Sequence, residues 1–233
     1  MFNRIKRAFS RGALNPQERD AAASRDSHGP VSEWASTQGL AFSVNGPGRG
    51  IALEGKVGGK AWRLQLGPPS RDYILGEEVR ARADLGVQDD AAVLVMNRPL
   101  REVLEKKAYQ IYTDSLQTSV DQKLPEEMRW LAMFDEVGWD SLPREFWNRY
   151  SVLTDRKDNA VNWIDPVLAR LMLDWPDAGS CAEVPFILLL LRGKAYLRME
   201  HTPPGLDTLR HAALIFTSAC ELALSRLGKR SAS

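Results

Sequence analysis

The chain has 233 residues, 44% apolar and 26% charged, with a formal net charge of +1. That length and composition suit one large or two small globular domains and exclude a chain disordered throughout. A net charge so near zero gives no overall field for nucleic acid, so any basic function has to be local.

Basic character concentrates at the start, where residues 1–30 hold six basic and three acidic side chains. Within residues 1–12, Phe2, Ile5 and Phe9 recur at the spacing of one helical face, while Arg4, Lys6, Arg7 and Arg11 fall largely elsewhere. Such a segment can lie flat on an anionic bilayer. Each cation near that surface is worth about 1 kcal/mol, so these supply roughly 4 kcal/mol beyond the burial of the three apolar side chains. The result is reversible attachment rather than insertion; a solvated basic tail is the alternative reading. Residues 13–30 hold too few large apolar side chains to offset their ordering entropy and read as a disordered linker.

The globular part is expected over 31–228, followed by a tail at 229–233; a division into sub-domains at 31–120 and 121–228 stays open. Val31, Trp34 and Ala35 suggest a short helix stopped at Gly39, and Leu40 to Val44 a first strand. Ile51–Val57 and Lys60–Leu66 flank Gly58-Gly59, a pair suited to a primed hairpin turn. Tyr73 to Leu85 alternates polar and apolar residues as a strand with one wet face, and Ala92 to Met96 reads as a buried strand.

Asn97-Arg98-Pro99 then opens a helix, with Asn97 as its cap and Leu100, Val103, Leu104, Ala108 and Ile111 as its apolar stripe. A second helix is expected over Leu124–Val137, its Glu126 and Glu127 placed at the positive end of the macrodipole. Ser141 and Pro143 begin a short helical turn before a strand at Tyr150–Thr154, and Asp165-Pro166 breaks and restarts a helix. Phe186–Leu191 and Ala195–Glu200 form a second hairpin about Gly193-Lys194, and Leu206 to about Leu227 a closing helix. The fold class is therefore α+β, with antiparallel strands from an N-terminal meander and a C-terminal hairpin covered by helices. The hairpins share Gly59-Lys60-Ala61-Trp62 and Gly193-Lys194-Ala195-Tyr196, each followed by a double proline, which raises the question of an internal duplication.

The chemistry-bearing residues form no catalytic constellation. Gly46-Pro47-Gly48-Arg49-Gly50 lacks the Gly-Lys-Ser/Thr ending of a phosphate-binding loop and the helix that follows one, so it reads as a mobile hairpin loop. His28, His201 and His211 are too few for a typical His-based metal site. Cys181 and Cys220 read as reduced, buried thiols, and the seven tryptophans chiefly as core. Neighbouring Glu77 and Glu78 point to opposite faces of a strand and make no acid/base pair. Arg80 and Arg82 beside Glu78 read as a salt-bridged wet face, with a phosphate-binding stripe as the alternative. Arg71, Asp72, Tyr73 and Glu77 are the candidate ligand-binding cluster; no catalytic residue, metal ligand or cofactor is assigned.

At Phe146-Trp147-Asn148-Arg149-Tyr150-Ser151-Val152-Leu153-Thr154-Asp155, continued by Ala160 and Pro166, the chain resembles a bacterial family of unknown function. That family carries an aromatic-x-x-x-aromatic-x-Val-x-Thr/Ser-Asp run followed by a Pro-opened helix, and the resemblance covers about residues 145–225. It implies a bacterial protein and supplies no catalytic residues. Family members often carry membrane segments ahead of the domain, where this sequence has only its basic N-terminal stretch. No uncharged apolar run is long enough to span a bilayer or serve as a secretory h-region, so a cytoplasmic location is expected.

The first functional expectation is a non-enzymatic interaction protein, peripheral on the inner membrane, whose partners are an anionic membrane surface and a protein, with nucleic acid not expected. The second is a small-ligand binding protein or enzyme with a pocket between sheet and helices. Residues 1–12 fused to a fluorescent protein are expected to co-sediment with anionic liposomes at low salt and to be released as salt rises. Absence from the pellet at low salt removes the anchor.

Overall fold

The computed structural model describes residues 28–46, 50–115, 126–177, 179 and 183–228. A helix over residues 28–37 (α1) leads into five strands, β1 (Ala41–Val44), β2 (Ile51–Val57), β3 (Lys60–Gly67), β4 (Glu78–Asp84) and β5 (Ala92–Asn97). There follow α2 (Arg98–Ser115), α3 (Glu126–Met133), β6 (Asp135–Val137), α4 (Arg144–Arg149) and β7 (Tyr150–Thr154). The chain closes through α5 (Lys157–Trp163), α6 (Pro166–Leu173), β8 (Phe186–Leu191), β9 (Lys194–Glu200) and α7 (Leu206–Arg226).

Among the described residues the nine strands form one antiparallel sheet, in the order β1-β2-β3-β4-β9-β8-β5-β7-β6. The fold is thus α+β, and both hairpins belong to the same sheet. Gly58 and Gly59 have φ of 53° and 77°, as a primed turn requires. The second turn falls one residue before Gly193-Lys194, with Arg192 at φ 51° and Gly193 at φ 72°. Ala83 pairs with Trp62 on one side and Ala195 on the other. Trp62 and Tyr196, equivalent in the repeated motif, consequently point to opposite faces of the sheet.

Two elements differ from the sequence expectation. The strand expected from Tyr73 starts only at Glu78, because side chains take the backbone N–H groups ahead of it: Glu78 Oε2 accepts from Ser70 N at 2.5 Å and Glu200 Oε2 from Leu75 N at 2.8 Å. The helix expected to run to Val137 stops at Met133. Asp135, Glu136 and Val137 instead pair with Thr154, Leu153 and Val152, supplying partners to the free edge of β7. The Asn97 side chain, ahead of α2, also ties in the start of β8: its Nδ2 donates to Val184 O at 2.8 Å and its Oδ1 accepts from Phe186 N at 3.0 Å. Asp165 does cap α6, its Oδ1 accepting from Leu168 N at 2.8 Å ahead of Pro166.

The first face of the sheet carries Leu53, Trp62, Leu64, Val79, Ala81, Val95, Leu188 and Leu197, all in the main core with side chains from α1, α4, α5, α6 and α7. Trp62 meets the ring of Phe216 at 6.4 Å, and Trp163 Nε1 donates to Ala219 O at 2.8 Å, tying α5 to α7. The second face is split. Over β5, β7 and β8 it is apolar, where Leu94, Met96, Leu153, Ile187 and Leu189 pack beneath Leu100 and Leu104 of α2 and Met128 of α3. Toward β2, β3, β4 and β9 it turns charged.

Candidate functional site

Strand alternation and register together decide which residues share the charged half of the second face. One cross-strand row runs Glu54, Arg63, Arg82, Tyr196, Leu189; the next runs Ala52, Gln65, Arg80, Arg198, Ile187. Arg63 therefore lies directly opposite Arg82, and Arg80 directly opposite Arg198. Like charges so placed destabilise a sheet unless something of opposite charge relieves them.

Part of that relief is internal. Arg198 stands between two carboxylates with fully buried side chains: its Nε lies 2.7 Å from Glu78 Oε1, and its Nη1 donates to Glu127 Oε1. Glu127, in the first turn of α3, also accepts from Arg71 Nε at 2.6 Å and from the Tyr73 hydroxyl at 3.1 Å. Burial pushes the Glu127 carboxyl up, but the hydrogen bond from Arg71 and the charges of Arg71 and Arg198 outweigh it and hold the group below the usual carboxylate range. Burial and the Glu127 charge push the Tyr73 phenol well up, so it stays a neutral donor. Arg63 pairs with Glu54 at 2.6 Å.

The relief is incomplete. Arg80 has its nearest carboxylate oxygen, on Glu78, at 4.0 Å, and its Nε is buried with no hydrogen-bond partner. Arg82 is exposed. Glu127 Oε2 is also buried without a hydrogen bond, so two such atoms gather on this patch, while Arg198 Nε, not aligned for a hydrogen bond, lies in an ion pair with Glu78 Oε1 at 2.7 Å. Orphaned buried polar atoms are rare in native proteins and call for an explanation at the place where they cluster. Beside them, between the sheet and α3, is a cleft of about 300 Å³ whose walls include Arg63, Arg80, Arg82, Arg198, Trp130 and Tyr196.

The sequence-derived cluster is divided by the structure. Arg71 and Tyr73 meet on Glu127, whereas Asp72 pairs outward with Lys107 and Glu77 lies 3.5 Å from His201 Nδ1. Arg63, Glu127, Trp130 and Arg198 went unselected, because their meeting depends on register and on where α3 lands; the signal within reach was the matching alternation of Arg63-Gln65 and Tyr196-Arg198. Cys220 is buried in α7, and burial, with the Glu221 charge, pushes its thiol up to about 12, which makes it a poor nucleophile. Phe2, Arg4, Ile5, Lys6, Arg7, Phe9 and Arg11, together with Cys181, lie outside the described residues.

Among the described residues no helix is long and apolar enough to cross a membrane, and no group of three or more His, Cys, Asp or Glu side chains is placed to hold a metal ion. No family model, curated protein or solved structure matches the chain. The site is defined by its own geometry: an arginine-lined cleft on an antiparallel sheet, braced from behind by buried carboxylates.

Glu127→Gln is expected to lower stability at pH 7 by about 3 kcal/mol in urea denaturation, near the lower end for breaking a buried pair, since Arg71 and Arg198 remain partly exposed. The folded Glu127 carboxyl lies below its unfolded value of about 4.3, so its contribution is present above that pH and is lost as pH falls through the folded value. The variant should lack this part of the acid destabilisation. An acid limb identical to the wild type's would contradict the assignment.

Proposed function

We propose that the protein is a non-enzymatic binding module that engages an anionic partner through the arginine-lined half of its sheet. The carrying observation is Arg80, set in register against Arg198, with a buried Nε that has no hydrogen-bond partner. Arg80 is only loosely matched by Glu78, at 4.0 Å, and its planar fork suits a phosphate or carboxylate entering the cleft. Attachment of residues 1–12 to an anionic membrane surface belongs to the same proposal; it rests on their spacing of apolar and basic residues. In that arrangement the N-terminal segment sets the location and the sheet selects the partner.

Inorganic phosphate is the simplest probe. Thermal denaturation of the full chain should rise with phosphate beyond the effect of chloride at equal ionic strength, following RT ln(1 + [L]/Kd). Arg80→Gln should weaken binding by about tenfold or more, the worth of one charged hydrogen bond, while Arg156→Gln, whose residue pairs with Asp90 away from the cleft, should not. A wild-type protein indifferent to phosphate contradicts the proposal.

A further inference from the structure

We infer that the ligand of the cleft is an organic monophosphate with a ring-sized apolar body. This rests on the proposal that the second face binds an anion, and names what the anion is attached to.

The cleft has two chemical ends. Arg80 and Arg82 stand at one, the first with its buried, unpartnered Nε and the second exposed, while Arg63 and Arg198 are already occupied in part by Glu54, Glu78 and Glu127. With Arg63 and Arg198 paired to those carboxylates and Glu126 on the rim, Arg80 and Arg82 are the guanidinium groups left to a ligand, and two planar forks side by side suit the several oxygens of a phosphate. At the other end the floor is Ile187, Leu189 and Leu191, with Trp130 and Tyr196 beside it. Ile187 and Leu189 are buried, and Trp130 and Tyr196 pack half-buried against the same apolar cluster. A bare inorganic anion leaves this end unused.

Distance fixes the size of the body. Arg82, Tyr196 and Leu189 are successive in one cross-strand row, so Arg82 and Leu189 are two strand spacings apart, about 10 Å between backbones. A phosphate on the guanidinium fork, bonded to one ring lying over Tyr196 and Leu189, bridges that gap. The volume of about 300 Å³ is at the small end of ligand pockets and admits a ring and a phosphate but not a peptide helix. An open hollow over β2, β3 and β4 shares Arg63, Arg82 and Tyr196 with the cleft at its phosphate end.

Isothermal titration of the full chain with phenyl phosphate, inorganic phosphate, benzoate and a glutamate decamer tests this. Phenyl phosphate should bind about tenfold or more tightly than inorganic phosphate, because the ring leaves water. Trp130→Ala should bring the ratio of phenyl phosphate to inorganic phosphate affinity down toward one; Tyr196→Ser serves the same purpose if the first variant does not fold. Equal affinities for phenyl and inorganic phosphate overturn the inference while the anion-binding proposal stands. Benzoate binding as tightly as phenyl phosphate overturns the choice of head group, and tighter binding of the decamer points to an acidic polypeptide instead. If no probe binds, the inference falls together with the proposal it rests on.

Discussion

Arg198 held between Glu78 and Glu127 is the interaction on which the charged half of the structure depends. Neither carboxylate side chain has exposed surface, and each belongs to a different layer, Glu78 to the sheet and Glu127 to α3. Such an arrangement adds little net stability compared with well-packed apolar residues, yet breaking it is costly, because a charge is then left buried without a partner. Its effect is positional: α3 is drawn toward the sheet at one place, which sets the wall of the cleft and carries Trp130 with it. Arg71 and Tyr73 reinforce the placement from the segment before β4, so the irregular stretch ahead of that strand is fastened to the same carboxylate.

The sheet explains why the cleft lies where it does. Its first face is apolar from β2 to β7 and is covered by five helices, whereas the second is apolar only over β5, β7 and β8, beneath α2 and α3. The boundary between covered and charged surface runs along β9, where Tyr196 and Arg198 follow one another on the same face. A cleft at such a boundary has an apolar floor on one side and guanidinium groups on the other. That position alone makes the cleft amphiphilic.

Much of the local structure was legible because it depends on neighbours in sequence. The Gly58-Gly59 turn, the apolar run of β8, the Asp165-Pro166 start of α6 and the long α7 each carry their own signal. What could not be read depends on distant partners. Residues 135–137 leave a helical pattern because the edge of β7 accepts them, and Asn97 reaches across to hold the start of β8. The site divides in the same way: Arg71 and Tyr73 were visible as a polar cluster, and Arg80 and Arg82 as one wet face with a phosphate-binding alternative. The opposition of Arg63 to Arg82 and of Arg80 to Arg198 needs the order β3-β4-β9, and no local pattern specifies that β4 lies beside β9.

The most direct measurement is a two-dimensional NMR titration that follows arginine Nε–Hε resonances of the full chain as inorganic phosphate is added. The account predicts that Arg80 and Arg82 move together and saturably, with Arg198 responding through its contacts, while Arg101 and Arg156 stay in place. Saturable shifts confined to arginines away from the second face, or no saturable shift at all, would contradict it.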